Sequence, residues 1–367
     1  MESSLKEKVY YPPPESKGGW RRLSDPEEIH IKAGMDADKV KVTLRFHELV
    51  FPGPSAIVVI RHGYLVGEWA TFNVLPHTKF HVWSCTKSFT ATAFGLLLED
   101  VLHGKFLLEG RRVDLDSPAY SFIPEGHPLT DPRKSKITLR HLLTMTSGIV
   151  GESRGIIGVS ITGTDCGPFE FALGRCPNKY YALAAKLSAK PGDRWDYSDA
   201  AFAHLSLIFN NITRGEIGDF LKERVLDRIG IEDISWDVQG GGKFIGPHTN
   251  AHMGIHVTAR DLARFGYLML REGIWEEQQL VPKRWIEMST RTSQRLNESY
   301  GYGWWVNSTT KLLPEMPKDT FAARGYNSNQ CYVVPSLDLV VARVGTGPPQ
   351  WDDANLIGGI VGAVISE

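Results

Sequence analysis

Three segments of the 367-residue chain carry residue types at spacings that can do chemistry. In Ser84-Cys85-Thr86-Lys87 a serine and a lysine stand three apart. On a helix that spacing puts both side chains on one face within reach of each other, and at the first turn the Ser84 N–H lies near the positive helix end. A serine hydroxyl is a poor nucleophile until a base takes its proton, and a lysine serves once desolvation or cationic neighbours strip its own. Gly151-Glu152-Ser153-Arg154-Gly155 matches the G-x-S-x-G turn that presents a nucleophilic serine between a strand and a helix. His248, His252 and His256, spaced by four, would face one way on a helix and could hold zinc.

Their surroundings separate the three. Ser3-x-x-Lys6 and Ser308-x-x-Lys311 repeat the first spacing in polar stretches, so spacing alone decides nothing. Only Ser84 lies between a strand region and a predicted helix, Lys87 to Leu102, which Gly104 stops. Around Ser153 the order is wrong: a helix ended by Gly148 precedes it and the glycine-interrupted run Ile156 to Ser160 follows, so a solvated loop serine is the plainer reading. Pro247, Asn250 and Gly254 argue against a helix through the histidines, and no H-E-x-x-H glutamate accompanies them. Loop histidines near a cleft are expected, and no metal site.

The elements that must position Ser84 follow from apolar periodicity. Residues 1–35 are polar, proline-bearing and aperiodic, and read as an extended N-terminal arm. Asp36 to Val50 reads as an amphipathic helix and Ser55 to Thr71 as a hairpin turning at Arg61-His62-Gly63. From about 105 to 290 the signals are mostly helical: Thr138 to Met145, Asp199 to Ile212, Glu216 to Ile229, and a helix opened by Thr258 and stopped by Gly273. Strand signals return at Tyr302 to Val306, Cys331 to Val334 and Leu337 to Val344, and Asp352 to Ile365 is a closing helix. The pattern predicts an α/β (α+β) fold with one sheet built from both chain ends and a mostly helical region, 106–295, inserted between an α/β region of 36–105 and 296–367. The site is expected at the seam.

Lys plus Arg number 41 and Asp plus Glu 42, a formal charge of −1, so the basic excess that neutralises phosphates is missing and nucleic acid is not an expected partner. Leu356 to Ile365, the best membrane candidate, is too short and glycine-broken, and no membrane partner is expected. Met1 to Trp20 has charges and three prolines but no apolar h-region, which points to a cytoplasmic protein. Cys85, Cys166, Cys176 and Cys331 lack paired spacing and read as free thiols, a Cys166 to Cys176 bridge being the alternative.

Ser84-Cys85-Thr86-Lys87 and the apolar helix after it resemble the first motif of the serine β-lactamase and penicillin-binding-protein superfamily. Leu139 to Gly148, Pro191 to Asp199, Thr258 to Gly266 and Tyr300 to Trp305 fit in order, so the resemblance spans about residues 40 to 365 and implies a single β-lactamase/transpeptidase-like domain over 36–367. The branch it is most similar to contains class C β-lactamases, family VIII carboxylesterases and 6-aminohexanoate-dimer hydrolases. The second motif there is Tyr-x-Asn, and Tyr197-Ser198-Asp199 stands in its place, which implies that Tyr197 shares proton transfer with Lys87. An ionised Asp199 near Lys87 would favour the ammonium and weaken the base, unless it points away as a helix cap. The third motif, Lys-Thr-Gly, is replaced by Ala323-Arg324-Gly325; the drug-carboxylate grip is gone, although Arg324 offers a cation. The resemblance implies an oxyanion hole from the Ser84 and Tyr326 N–H groups and no metal or organic cofactor. A small ester or linear amide is the expected substrate, with a β-lactam or D,D-peptide, or a non-catalytic binding role, as alternatives. Tyr180, Tyr181, Trp304, Trp305 and Tyr326 read mostly as core or cleft wall, and the sequence leaves the role of 150–190 open, a lid being one option.

Overall fold

The computed structural model describes residues 9–50, 53–71, 73–106, 108, 113–151, 183, 185–239, 248–347 and 354–365. Its frame is a six-stranded antiparallel sheet. The β-branched run Ser55–Arg61 forms β1 and returns through His62 and Gly63 into β2, Tyr64–Ala70. Among the short strands outside this sheet, three pair with one another: β3 (Phe80–His81), β4 (Ser235–Trp236) and β5 (Ile255–Val257). The chain's second half then supplies β6 (Trp305–Val306), β7 (Phe321–Gly325), β8 (Asn329–Val334) and β9 (Leu339–Gly345). The order across the large sheet is β6-β7-β8-β9-β1-β2. The two chain ends meet where β1 pairs with β9, from Ser55 opposite Gly345 to Arg61 opposite Leu339.

Both faces of this sheet are covered, which is why its strands read as continuous apolar runs instead of alternating ones. Ile57, Val59, Tyr332 and Val341 pack with Leu23, Ile29, Val40 and Leu44 of the N-terminal segments and with Leu356 and Ile357. Val58, Ile60, Val333, Val340 and Ala342 point the other way, into a larger core with Phe89 and Phe265. Phe89 belongs to α3, Thr86–Leu102, and Phe265 to a later helix, Ala259–Leu270. Their rings stack at 3.7 Å. Before α3 stand α1 (Pro26–Ala33) and α2 (Ala37–Val50), and after it α4 (Leu139–Leu143), α5 (Asp199–Thr213) and α6 (Ala259–Leu270).

Several expectations are corrected. The arm is not extended throughout, because Pro26–Ala33 is helical: the Asp25 carboxylate accepts from the Glu27 and Glu28 N–H groups, and Pro26 sits in the first turn. Only Ile29 and Ala33 of that helix are buried, too few to print an apolar period. Ahead of that helix, Pro12, Pro13 and Glu15 are tied down by the fully buried Arg264, which donates to the Pro12 and Pro13 carbonyls and to the Glu15 carboxylate. Strand β7 is an addition to the expected set: Phe-Ala-Ala-Arg-Gly has weak strand propensity, and its pairing with β8 fixes it. The strand expected at 302–306 is limited to Trp305–Val306, and the closing helix to a π turn at Ala354–Gly358 followed by Gly359–Val361. Cys85 and Cys331 are buried free thiols. Ser153, Cys166, Cys176, Tyr180, Tyr181 and most of the 150–190 segment lie outside the described residues.

Candidate active site

Ser84 is placed by the short sheet β3-β5-β4. Phe80 and His81 pair with Val257 and His256, and the next residue, Val82, donates its N–H to the Ile255 carbonyl at 2.9 Å. The chain then turns abruptly. Trp83 has φ +50, a conformation that bulky residues rarely hold, and its ring is clamped between His81 (4.4 Å) and Tyr326 (5.4 Å). Trp83–Cys85 is a 3-10 turn that runs straight into α3, so Ser84 sits at the head of a helix with its side chain partly open to solvent.

One turn on, Lys87 is 1% exposed. Burying an ammonium is tolerable only when every proton has a partner. Its Nζ lies 2.8 Å from Ser84 Oγ, 2.5 Å from Asp199 Oδ1 and 3.0 Å from the His252 carbonyl. The ammonium fills these as three donors. A neutral amine fits the same cradle, two hydrogens going to Asp199 and His252 while the lone pair accepts from the Ser84 hydroxyl. Two protonation states of one lysine are therefore accommodated without rearrangement. Asp199 faces Lys87 and does not point away, because Ser198 is the residue that caps α5, accepting from the Ala201 N–H at 3.1 Å.

The ring of Tyr197 lies under this amine, its centroid 4.7 Å from Nζ. Trp195, Tyr197, Tyr300 and Trp305 pack mutually at 5.3 to 6.3 Å, with Tyr197 and Trp305 stacked. Burial pushes the Tyr300 phenol well above its ordinary value, reinforced by Tyr197, so Tyr300 stays protonated beside the site. Burial likewise lowers the His252 imidazole to about 4, with Asp199 opposing, so the residue whose carbonyl holds Lys87 is neutral at working pH.

On the far side of Ser84, β7 ends at Gly325. A Cβ on Gly325 would lie 2.1 Å from the Val82 carbonyl and 3.1 Å from the Ser84 nitrogen. Only glycine lets the strand come this close to the nucleophile turn. Tyr326 follows it, 47% exposed at the rim. Arg324 is one ring removed from Tyr197: it is buried, its guanidinium 6.0 Å from the Trp305 ring and 5.9 Å from that of Tyr332. Ser84, Lys87, Tyr197, Asp199 and Gly325 are thus brought together, and Arg324 is set back from them.

The three histidines do not converge. His248, on a two-residue strand, meets Glu216 at 2.9 Å; His252 lies under Lys87; His256 is on β5 beside Asp237. The part His252 plays through its carbonyl leaves no trace in residue type, since any residue supplies that acceptor.

A family model described as Beta-lactamase matches residues 45–361. The chain belongs to the beta-lactamase family. As a beta-lactamase-family serine hydrolase it has the antiparallel sheet built from N- and C-terminal strands that the fold requires. An uncharacterised protein of Alkalihalophilus pseudofirmus is 22% identical to it over 81% of this chain and 84% of that one. Among solved structures, a protein of Bacillus anthracis provisionally named as a 6-aminohexanoate-dimer hydrolase superposes with a TM-score of 0.71 at 20% identity, covering 96% of this chain and 88% of its own. EstCE1, described as a hydrolase with promiscuous acyltransferase activity, gives 0.68 at 15% identity over 90% and 98%. The two solved structures share this chain's fold.

Proposed function

We propose that the chain hydrolyses ester or linear amide bonds of small molecules through an acyl-enzyme on Ser84. The observation that carries this reading is the 2.8 Å contact between Ser84 Oγ and a buried lysine amine that is itself held from two other sides. With Lys87 neutral, its lone pair takes the Ser84 proton as Oγ attacks the carbonyl carbon. The proton passes through Lys87 and Tyr197 to the leaving alcohol or amine, and a water then attacks the acyl carbon, releasing the acid and restoring the hydroxyl. The Ser84 and Tyr326 N–H groups are assigned to the developing oxyanion, and the loss of such a donor costs about 3 to 4 kcal/mol of barrier.

Ester or linear amide is favoured over a β-lactam by two features. The Lys-Thr-Gly carboxylate grip is absent, and the one cation at that place, Arg324, is buried behind Trp305. The aromatic wall of Trp195, Tyr197 and Trp305 suits an apolar acyl group. The names of the Bacillus anthracis protein and EstCE1 agree with that class of bond.

The test is a short p-nitrophenyl ester and nitrocefin offered to the wild type, with fluorophosphonate labelling read by mass on the Ser84 peptide. Labelling and ester turnover without nitrocefin turnover are expected, and Ser84→Ala lowers ester hydrolysis by on the order of 10³ or more. Nitrocefin turnover would install the β-lactamase alternative. An unlabelled Ser84 would leave a binding protein.

A further inference from the structure

The pairing of β3 with β5 does something besides fixing the nucleophile turn. His81 stands directly opposite His256, so both imidazoles rise from one face of the small sheet, ring centroids 4.8 Å apart. On the other side of β5, β4 pairs Ser235 with His256, and Asp237, two residues on, returns to that same face by the strand's period of two. Asp237 is opposite Gly254, held by its N–H to the Gly254 carbonyl at 2.9 Å. Gly254 has φ +127 and a Cβ there would lie 3.1 Å from Asp237 Cβ, so glycine lets the two strand segments approach at Asp237.

The three side chains converge from three different strand segments. Asp237 Oδ2 lies 3.1 Å from His256 Nε2 and 3.8 Å from His81 Nε2, and all three donor atoms fall within 4.8 Å of one another. Metal bonds of about 2.0 to 2.2 Å in a tetrahedron put ligand atoms about 3.3 Å apart, so two of the three edges already approach that spacing. We propose that His81, Asp237 and His256 form a binding site for a divalent first-row cation of the zinc type. Two imidazoles and one carboxylate select such an ion over calcium or magnesium, which take oxygen ligands. Three protein ligands leave a fourth position to water. The site is separate from the Ser84 cradle but adjoins it, since the His81 ring packs on Trp83 and Trp83 on Tyr326. It does not depend on the hydrolase reading.

The experiment is a zinc titration of the untagged, metal-stripped full chain by calorimetry, repeated with cobalt to read the visible ligand-field bands. One saturable equivalent with tetrahedral cobalt bands is expected. Asp237→Asn and His256→Asn each weaken it by on the order of tenfold or more, since removing a ligand costs at least what removing a ligand's hydrogen-bond partner does. Ser84→Ala, which removes the nucleophile, leaves zinc affinity unchanged. Both ligand side chains are partly exposed, so both variants are expected to fold, checked by their melting curves without metal. The proposal is overturned by the absence of saturable zinc binding in the wild type, which would leave Asp237 as a carboxylate bridging two imidazoles. It is equally overturned by binding that persists undiminished in both variants.

Discussion

At the scale of single residues, the chemistry turns on how Asp199 holds Lys87. The carboxylate sits 2.5 Å from the buried Nζ and accepts one of its hydrogens, which aims the amine at Ser84 Oγ. Asparagine keeps an acceptor for one amine hydrogen and drops the charge. Asp199→Asn is therefore expected to keep more ester hydrolysis than Asp199→Ala, which removes the acceptor, lets the amine shift and lowers kcat by about 10². Equal kcat in the wild type and in Asp199→Ala would show that this contact does not position the base. Residue identities at this site are legible in the sequence: a serine and a lysine at spacing three, a tyrosine two before an aspartate. Orientation is not. Whether Asp199 faces the lysine or caps its helix depends on Ser198 taking the cap, and both residues are good caps by type.

At the scale of elements, the approach of β7 to the nucleophile turn is the tightest fit around the site. Gly325→Ala would place a methyl carbon 2.1 Å from the Val82 carbonyl, and that carbonyl belongs to backbone pinned by the β3 to β5 pairing. Something must shift, and the strand end is freer than the turn. The expected result is a stability loss of about 1 to 3 kcal/mol from overpacking. Because Tyr326 moves with the strand, kcat for ester hydrolysis should fall by about 10² to 10³, the cost of one displaced oxyanion donor. Circular dichroism melts and steady-state kinetics on the same preparation separate the two effects; unchanged kcat in a destabilised variant would remove Tyr326 from the oxyanion role. This strand is also the element with the faintest sequence signal. Phe321 to Gly325 has little intrinsic preference for a strand and gains it from β8 beside it, whereas β1 and β9 announce themselves by uninterrupted β-branched runs. The two- and three-residue strands that orient Ser84 are shorter than any periodic window.

At the scale of the whole molecule, the same burial that closes the site sets how the fold responds to acid. His47, His204 and His252 are buried in three different places, and desolvation lowers them to about 3, about 4 and about 4. Each titrates near 6.5 once unfolded, so between pH 6.5 and 4 the unfolded chain binds protons that the folded chain refuses. That difference makes stability rise with pH across the window and fall as the solution is acidified through it. Asp261 works the other way: burial raises it to about 6, so its folded form holds a proton that the unfolded chain releases near 3.8, and acidification through that range favours the fold. Going from pH 7 to pH 5, each histidine costs about 2 kcal/mol and Asp261 returns about 1 kcal/mol, by linkage from these values. Three histidines outweigh one aspartate. The midpoint of urea unfolding should therefore drop markedly between pH 7 and pH 5 with little change in slope. A midpoint that held steady or rose would mean that the buried histidines take up protons in the folded state, and that the core around Tyr120, Arg343 and Lys87, where they lie, is wetter than its packing implies.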